Sequence, residues 1–137
     1  MKQRLVIITI LFLGLFWKAL AQSSNNPPTA LQGSKIEFIK SEHDFGDIYQ
    51  GDVVSYVFTF KNTGNMPLIL TNVQTTCGCT APSWTREPVL PGKTGEINIQ
   101  FNSSGKSGIQ NKVITVFSNA VNPQARLRIQ ANVLPRP

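Results

Sequence analysis

The run DVVSYVFTFKN, Asp52 to Asn62, sets Val54, Tyr56, Phe58 and Phe60 on one side and Ser55, Thr59 and Lys61 on the other. A two-residue period of this kind places every apolar side chain on one face of an extended strand and leaves the other face to water. It is incompatible with a helix, where the same residues would scatter around the axis. No stretch from Ser34 onward carries helical periodicity instead. The chain is therefore expected to be all-β, with strands that each bury one face.

Further runs follow the same rule. Ile36 and Phe38 share a face in KIEFI, and Ile97, Ile99 and Phe101 do so in EINIQF. In RLRIQANV, Leu127, Ile129, Ala131 and Val133 face in while Arg126, Arg128, Gln130 and Asn132 face out. KVITVFS is apolar on both sides, as a central strand would be, and LILTNVQT is a strand with a less clear face. Turn formers separate the runs: Asn62–Asn65, the Pro88/Pro91/Gly92 loop, NSSGKSG and NAVNP. About seven short strands in roughly 100 residues predict an immunoglobulin-like β-sandwich, with a small barrel as the competing architecture. Tyr56, Phe58, Phe60 and Phe101 are expected in the core. Outward Arg126 and Arg128 are expected to keep a strand soluble and discourage edge pairing.

The first residues belong to another class. Lys2 and Arg4 precede an apolar run from Leu5 to Trp17, and Ala19-Leu20-Ala21 follows. This is the build of a secretory signal peptide cut between Ala21 and Gln22. The apolar run falls short of the roughly 20 residues of a membrane-spanning helix. Residues 1–21 are thus read as the signal, 22–33 as a polar, proline-bearing flexible leader, and 34–135 as the sandwich domain. No membrane span is expected after cleavage, and the expected address is the periplasm or the outside of the cell, an oxidising space. No cysteine follows the cleavage site to take a lipid anchor. Three of the 13 basic residues leave with the signal, so 10 remain against 7 acidic ones. That mild, scattered excess argues against nucleic-acid binding, which needs a clustered basic face.

Few residues are equipped for chemistry. His43 is the only histidine, and general acid–base or nucleophilic catalysis needs such groups in concert. It is expected to be structural, at the start of a strand and hydrogen-bonded to a neighbouring turn, with Asp44 and Asp47 as turn and cap residues. Asn102-Ser103-Ser104 matches a glycosylation sequon of consequence only in a eukaryotic source. Tyr49, Trp84 and Arg86 are large surface candidates. Trp84 and Arg86, running from a strand end into a proline-rich loop, are read as a lid over one end of the sandwich or as a partner contact. Cys77 and Cys79, the only cysteines, flank Gly78. Two thiols and a distant histidine fall short of a structural zinc site. Cu(I) accepts two thiolates and stays as the metal alternative. A disulfide needs Cα atoms roughly 4.4–6.8 Å apart. A bend at Gly78 would allow that, and a straight strand would leave two small core residues. The pair is expected to be structural and to lie at a strand end.

The motifs taken together resemble the exported bacterial family called domain of unknown function 1573, DUF1573, related to the ASPM–SPD2–Hydin and major sperm protein modules. They are His43-Asp44-Phe45-Gly46 with Ile48 and Gly51, Asn62-Thr63-Gly64 with Pro67-Leu68, Cys77-Gly78-Cys79-Thr80, Pro91-Gly92 and the Gly105/Gly108 turn. The likeness runs from about His43 to Val133. Ala131 departs from it, standing where a glycine is expected. The resemblance implies an Ig-like sandwich outside the cytoplasm and assigns no biochemical role. The expectation is a non-enzymatic module with no cofactor, touching another envelope or secreted protein. The alternative is a thiol-redox or Cu(I)-handling protein using Cys77 and Cys79. Partner identity and oligomeric state are not written in the sequence.

Overall fold

The computed structural model describes residues 32–76 and 78–137. The signal segment, the cleavage site at Ala21 and Gln22, most of the leader, and Cys77 lie outside the described residues. Eight strands follow in order: β1 (Ile36–Phe38), β2 (Glu42–Tyr49), β3 (Val53–Asn62), β4 (Leu70–Thr75), β5 (Cys79–Trp84), β6 (Thr94–Asn102), β7 (Gly108–Ser118) and β8 (Gln124–Leu134). They form two four-stranded sheets, β1-β3-β6-β5 and β2-β8-β7-β4. In immunoglobulin terms the first sheet has the order A-B-E-D and β4-β7-β8 the order C-F-G of a constant-type domain. The chain's first strand is divided. β1 lies antiparallel to β3 in one sheet, and β2 crosses at Ile39–Ser41 to lie parallel to β8 in the other.

The alternation read from the sequence matches the packing. Phe58, Phe60, Ile97, Ile99 and Phe101 from the first sheet meet Ile114, Val116, Leu127, Ile129 and Val133 from the second, all essentially inaccessible to water. Truncating a buried phenylalanine costs about 3–5 kcal/mol, so Phe58, Phe60 and Phe101, spread along the β3–β6 pair, are each large contributors to the stability of the sandwich. β7 is a central strand, as its apolar composition predicted. Ala131 is buried, so its methyl group fits where the family resemblance led us to expect glycine.

Two expectations need correction. β8 is flanked by β2 and β7, so Arg126 and Arg128 do not guard a sheet edge; they cover the outer face of a central strand. The segment after the cysteine motif is a strand in its own right, β5, rather than the start of a loop. It pairs with β6 as the edge of the first sheet and has a register shift between Thr80 and Ser83. An edge with a bulge is where a strand tolerates Pro82, which has no amide hydrogen to contribute to a ladder.

Asn62 organises one end of the domain. Its side chain is wholly buried. Nδ2 donates to the Met66 and Val89 carbonyls at 2.7 and 2.8 Å, and Oδ1 accepts from the Gly64 and Lys35 amides at 3.0 and 3.3 Å. Gly64 is required beside it. A Cβ there would lie 2.2 Å from the Gly33 carbonyl oxygen, closer than backbone can move to allow. The Asn62-Thr63-Gly64 triplet is thus a structural knot joining three loops.

Candidate functional site

Three side-chain groups stand apart from ordinary packing. The first is the cysteine turn. β4 ends at Thr75, and Gly78 adopts φ of +89°, a backbone angle that favours glycine. The turn carries the chain from one sheet to the other. Cys79 then opens β5, opposite Phe101. Its side chain is 7% exposed and belongs to the core. Its amide donates to the Thr76 carbonyl at 3.1 Å, and its carbonyl accepts from Thr75 Oγ1 at 2.9 Å. Of the two alternatives at Gly78, bend or straight strand, the bend is present, and Cys79 begins a strand where it was expected to end one. Lys106 crosses the turn, with Cε 3.0 Å and Nζ 3.6 Å from the position a Cβ on Gly78 would take.

The second group is Trp84 with Arg86. Trp84 is the last residue of β5, opposite Ile97, and packs against the core. The Arg86 guanidinium lies over the indole, 3.4 Å from the ring centroid. The intervening Thr85 is clamped to β6. Its amide donates to the Glu96 carbonyl, and its hydroxyl accepts from the Glu96 amide, each at 2.9 Å. The clamp fixes where Arg86 leaves the sheet. Arg86 itself is exposed and joins no ion pair among the described residues. Trp84 Nε1 is buried without a hydrogen-bond partner. Tyr49, weighed with these two in the sequence, sits at the end of β2.

The third group surrounds His43, which occupies the start of β2 as expected. The predicted hydrogen bond to a turn gives way to ring contacts. The imidazole stacks on Tyr56 of the opposite sheet at 3.7 Å and 12°, and meets Phe45 edge-on at 4.6 Å. Nδ1 is buried and has no partner. Burial lowers the pKa of His43 from its ordinary value, Lys40 lowers it further, and Asp44 partly opposes both. A shallow cleft of about 230 Å³ opens beside it, lined by Lys40, Glu42, His43, Asp44, Arg128 and Gln130. Asp44 and Asp47, expected as turn and cap residues, both lie within β2: Asp44 accepts from the Gly46 amide at 2.7 Å beside the register shift, and Asp47 accepts from Asn132 Nδ2 of β8 at 2.8 Å.

The three groups occupy separate places, so the fold does not gather the sequence candidates into one site. The stacking of His43 on Tyr56 was missed because it joins strands of different sheets. The available signal was a tyrosine among the inward phenylalanines of β3. Among the described residues no three His, Cys, Asp or Glu side chains cluster as a metal ion would need. Among the described residues there is no helix long and apolar enough to cross a membrane.

Comparison with known proteins fits this architecture. The chain is similar to a Porphyromonas gingivalis protein of unknown function at 24% identity and a TM-score of 0.64, over 79% of this chain and 51% of that one. It is similar to the ASH / PapD-like domain 7 of human CEP192 at 10% identity and a TM-score of 0.62, over 88% and 97%. It also resembles part of the VesB protease of Vibrio cholerae at 15% identity and a TM-score of 0.57, over 72% and 31%. The chain spans about half of the Porphyromonas protein and about a third of the protease. At these identities the likeness is one of fold. No curated protein matches. The family model described as protein of unknown function, DUF1573, matches residues 36–133, and the chain belongs to that family.

Proposed function

We propose that this Ig-like domain is an exported, non-enzymatic module that acts through protein–protein contacts at the cell envelope, in the periplasm or outside the cell. One observation carries the reading: the Arg86 guanidinium lies over the Trp84 ring at the end of an edge strand, exposed and outside any ion pair among the described residues. Tryptophan and arginine are the residues most enriched where partners bind tightly. A guanidinium already stacked and anchored loses little freedom on binding. The sole histidine is engaged by aromatic rings, which supports a structural rather than a catalytic role for it. The test is crosslinked capture from the envelope of the source cell, comparing the wild type with Arg86→Ala. Truncating a central contact costs about 2 kcal/mol or more, a fall of about 30-fold in recovery of the specific partner. Equal recovery with a folded variant rejects the contact. A membrane-integrated product retaining residues 1–21, instead of one starting at Gln22, rejects export.

A second reading, thiol redox or Cu(I) handling by Cys77 and Cys79, draws support from Lys106 across Gly78, since a nearby ammonium favours a thiolate. Burial of Cys79 pulls the other way. The double change Cys77→Ser, Cys79→Ser separates the two readings. We expect a folded, exported protein destabilised by about 1–3 kcal/mol through a hydroxyl in the core, with partner recovery unchanged. Full stability with loss of a metal, a partner or thiol exchange would establish the thiol reading.

A further inference from the structure

β2 is an edge strand made of two unlike halves. The halves meet at a bulge, where the register with β8 shifts between Asp44 and Asp47 and Gly46 takes φ of +71°. The second half is fastened firmly. Ile48 is buried, Asp47 is bonded to Asn132, and the Tyr49 carbonyl accepts from Ser103 Oγ at 2.9 Å. The Tyr49 amide donates to Asp52 Oδ2 at 2.9 Å, and the Gln50 amide to the Leu134 carbonyl at 2.9 Å. The first half, Glu42–Asp44, is held by its parallel ladder to β8, by an exposed Glu42–Arg128 pair at 4.0 Å, and by His43 on Tyr56. The exposed pair contributes little. The imidazole is therefore its main attachment across the sandwich.

We propose that Glu42–Asp44 is a pH-sensitive strap. With His43 neutral it is latched onto Tyr56, and on protonation it opens about the Gly46 bulge to uncover the Tyr56 ring and the adjoining edge of β8. Protonation adds a second N–H to the ring at Nδ1, which is buried where no acceptor meets it. A buried donor without an acceptor is costly. The charged groups around the imidazole are Lys40 from the crossover, Glu42 and Asp44 from β2, and Arg128 from β8, with Tyr56 of β3 beneath it. Lys40 repels the new charge and Asp44 partly offsets it, while Arg128 and Glu42 are paired with each other. His43 is the group among these that ordinarily changes charge between pH 5 and 8. The opened state offers an unpaired strand edge beside an aromatic ring, a surface suited to an extended peptide segment.

The test is amide-exchange protection of the full chain at pH 7.5 and pH 5, corrected for intrinsic exchange. We expect a several-fold loss of protection confined to Glu42–Asp44, with Asp47–Tyr49 unchanged, and no loss in His43→Phe, which keeps the ring contact without the titration. Equal loss in His43→Phe, or none in the wild type, overturns the strap. If that variant does not fold, an NMR titration of the wild type decides. The amides of Glu42–Asp44 and the Tyr56 ring should shift with the midpoint of the His43 imidazole; a midpoint in the carboxylate range overturns the proposal.

Discussion

Asn62 and His43 are both polar side chains placed against the core, and they are treated in opposite ways. Asn62 has each of its donors and acceptors engaged, with bonds reaching four different backbone groups. His43 presents a buried nitrogen with no partner and is held by rings instead. A fully satisfied polar group in a low-dielectric setting fixes one conformation. An unsatisfied titratable one leaves an energy gap that a proton can alter. The Asn62 end of the sandwich is accordingly built for permanence, and the His43 flank for a response.

Asn62→Ala should break that contrast most severely. It removes a bond from the Met66 carbonyl and from the Lys35 and Gly64 amides, and the buried bond to the Val89 carbonyl, which keeps the Leu68 amide as a partner. We expect a loss of about 3–4 kcal/mol in chemical denaturation, close to the cost of losing a core phenylalanine. A loss below about 1 kcal/mol would mean that water replaces the side chain and that the knot is dispensable.

The smaller effect lies with His43 and has a definite sign. Its folded-state pKa is lowered by burial and by Lys40, so below about pH 6.5 the unfolded chain binds the proton more readily. The stability attached to the neutral ring is complete above the unfolded value. It is lost as pH falls toward the folded value and is constant below that. Comparing denaturation midpoints between pH 7.5 and 5 should show a shallower decline for His43→Phe than for the wild type. Parallel declines would assign the acid sensitivity to carboxylates and erase the distinction between the two regions.

The faces of β3, β6 and β8 were legible because a period of two commits every side chain to core or solvent. β5 was not, because a proline and a bulge break the alternation that identifies a strand. The position of β8 in the middle of its sheet was also hidden. Two arginines look the same on an edge strand as on the outer face of a central one, and strand order depends on pairings far apart in sequence. The Asn62-Thr63-Gly64 triplet was visible as a pattern, but its role needs loops 27 residues away, at Lys35 and Val89. Of the candidate residues, the location of His43 at a strand start was readable, and its partner across the sandwich was not.

The pairing of β2 with β8 joins strands near the two ends of the described residues. A chain made or threaded from its amino terminus cannot complete the second sheet until residues 124–134 have emerged. Until then only β4 and β7 can face β3 and β6, and β2 has no strand to pair with, so this sheet waits on closing a long loop. The eleven-residue β8 is thus the strand on which completion of the second sheet waits.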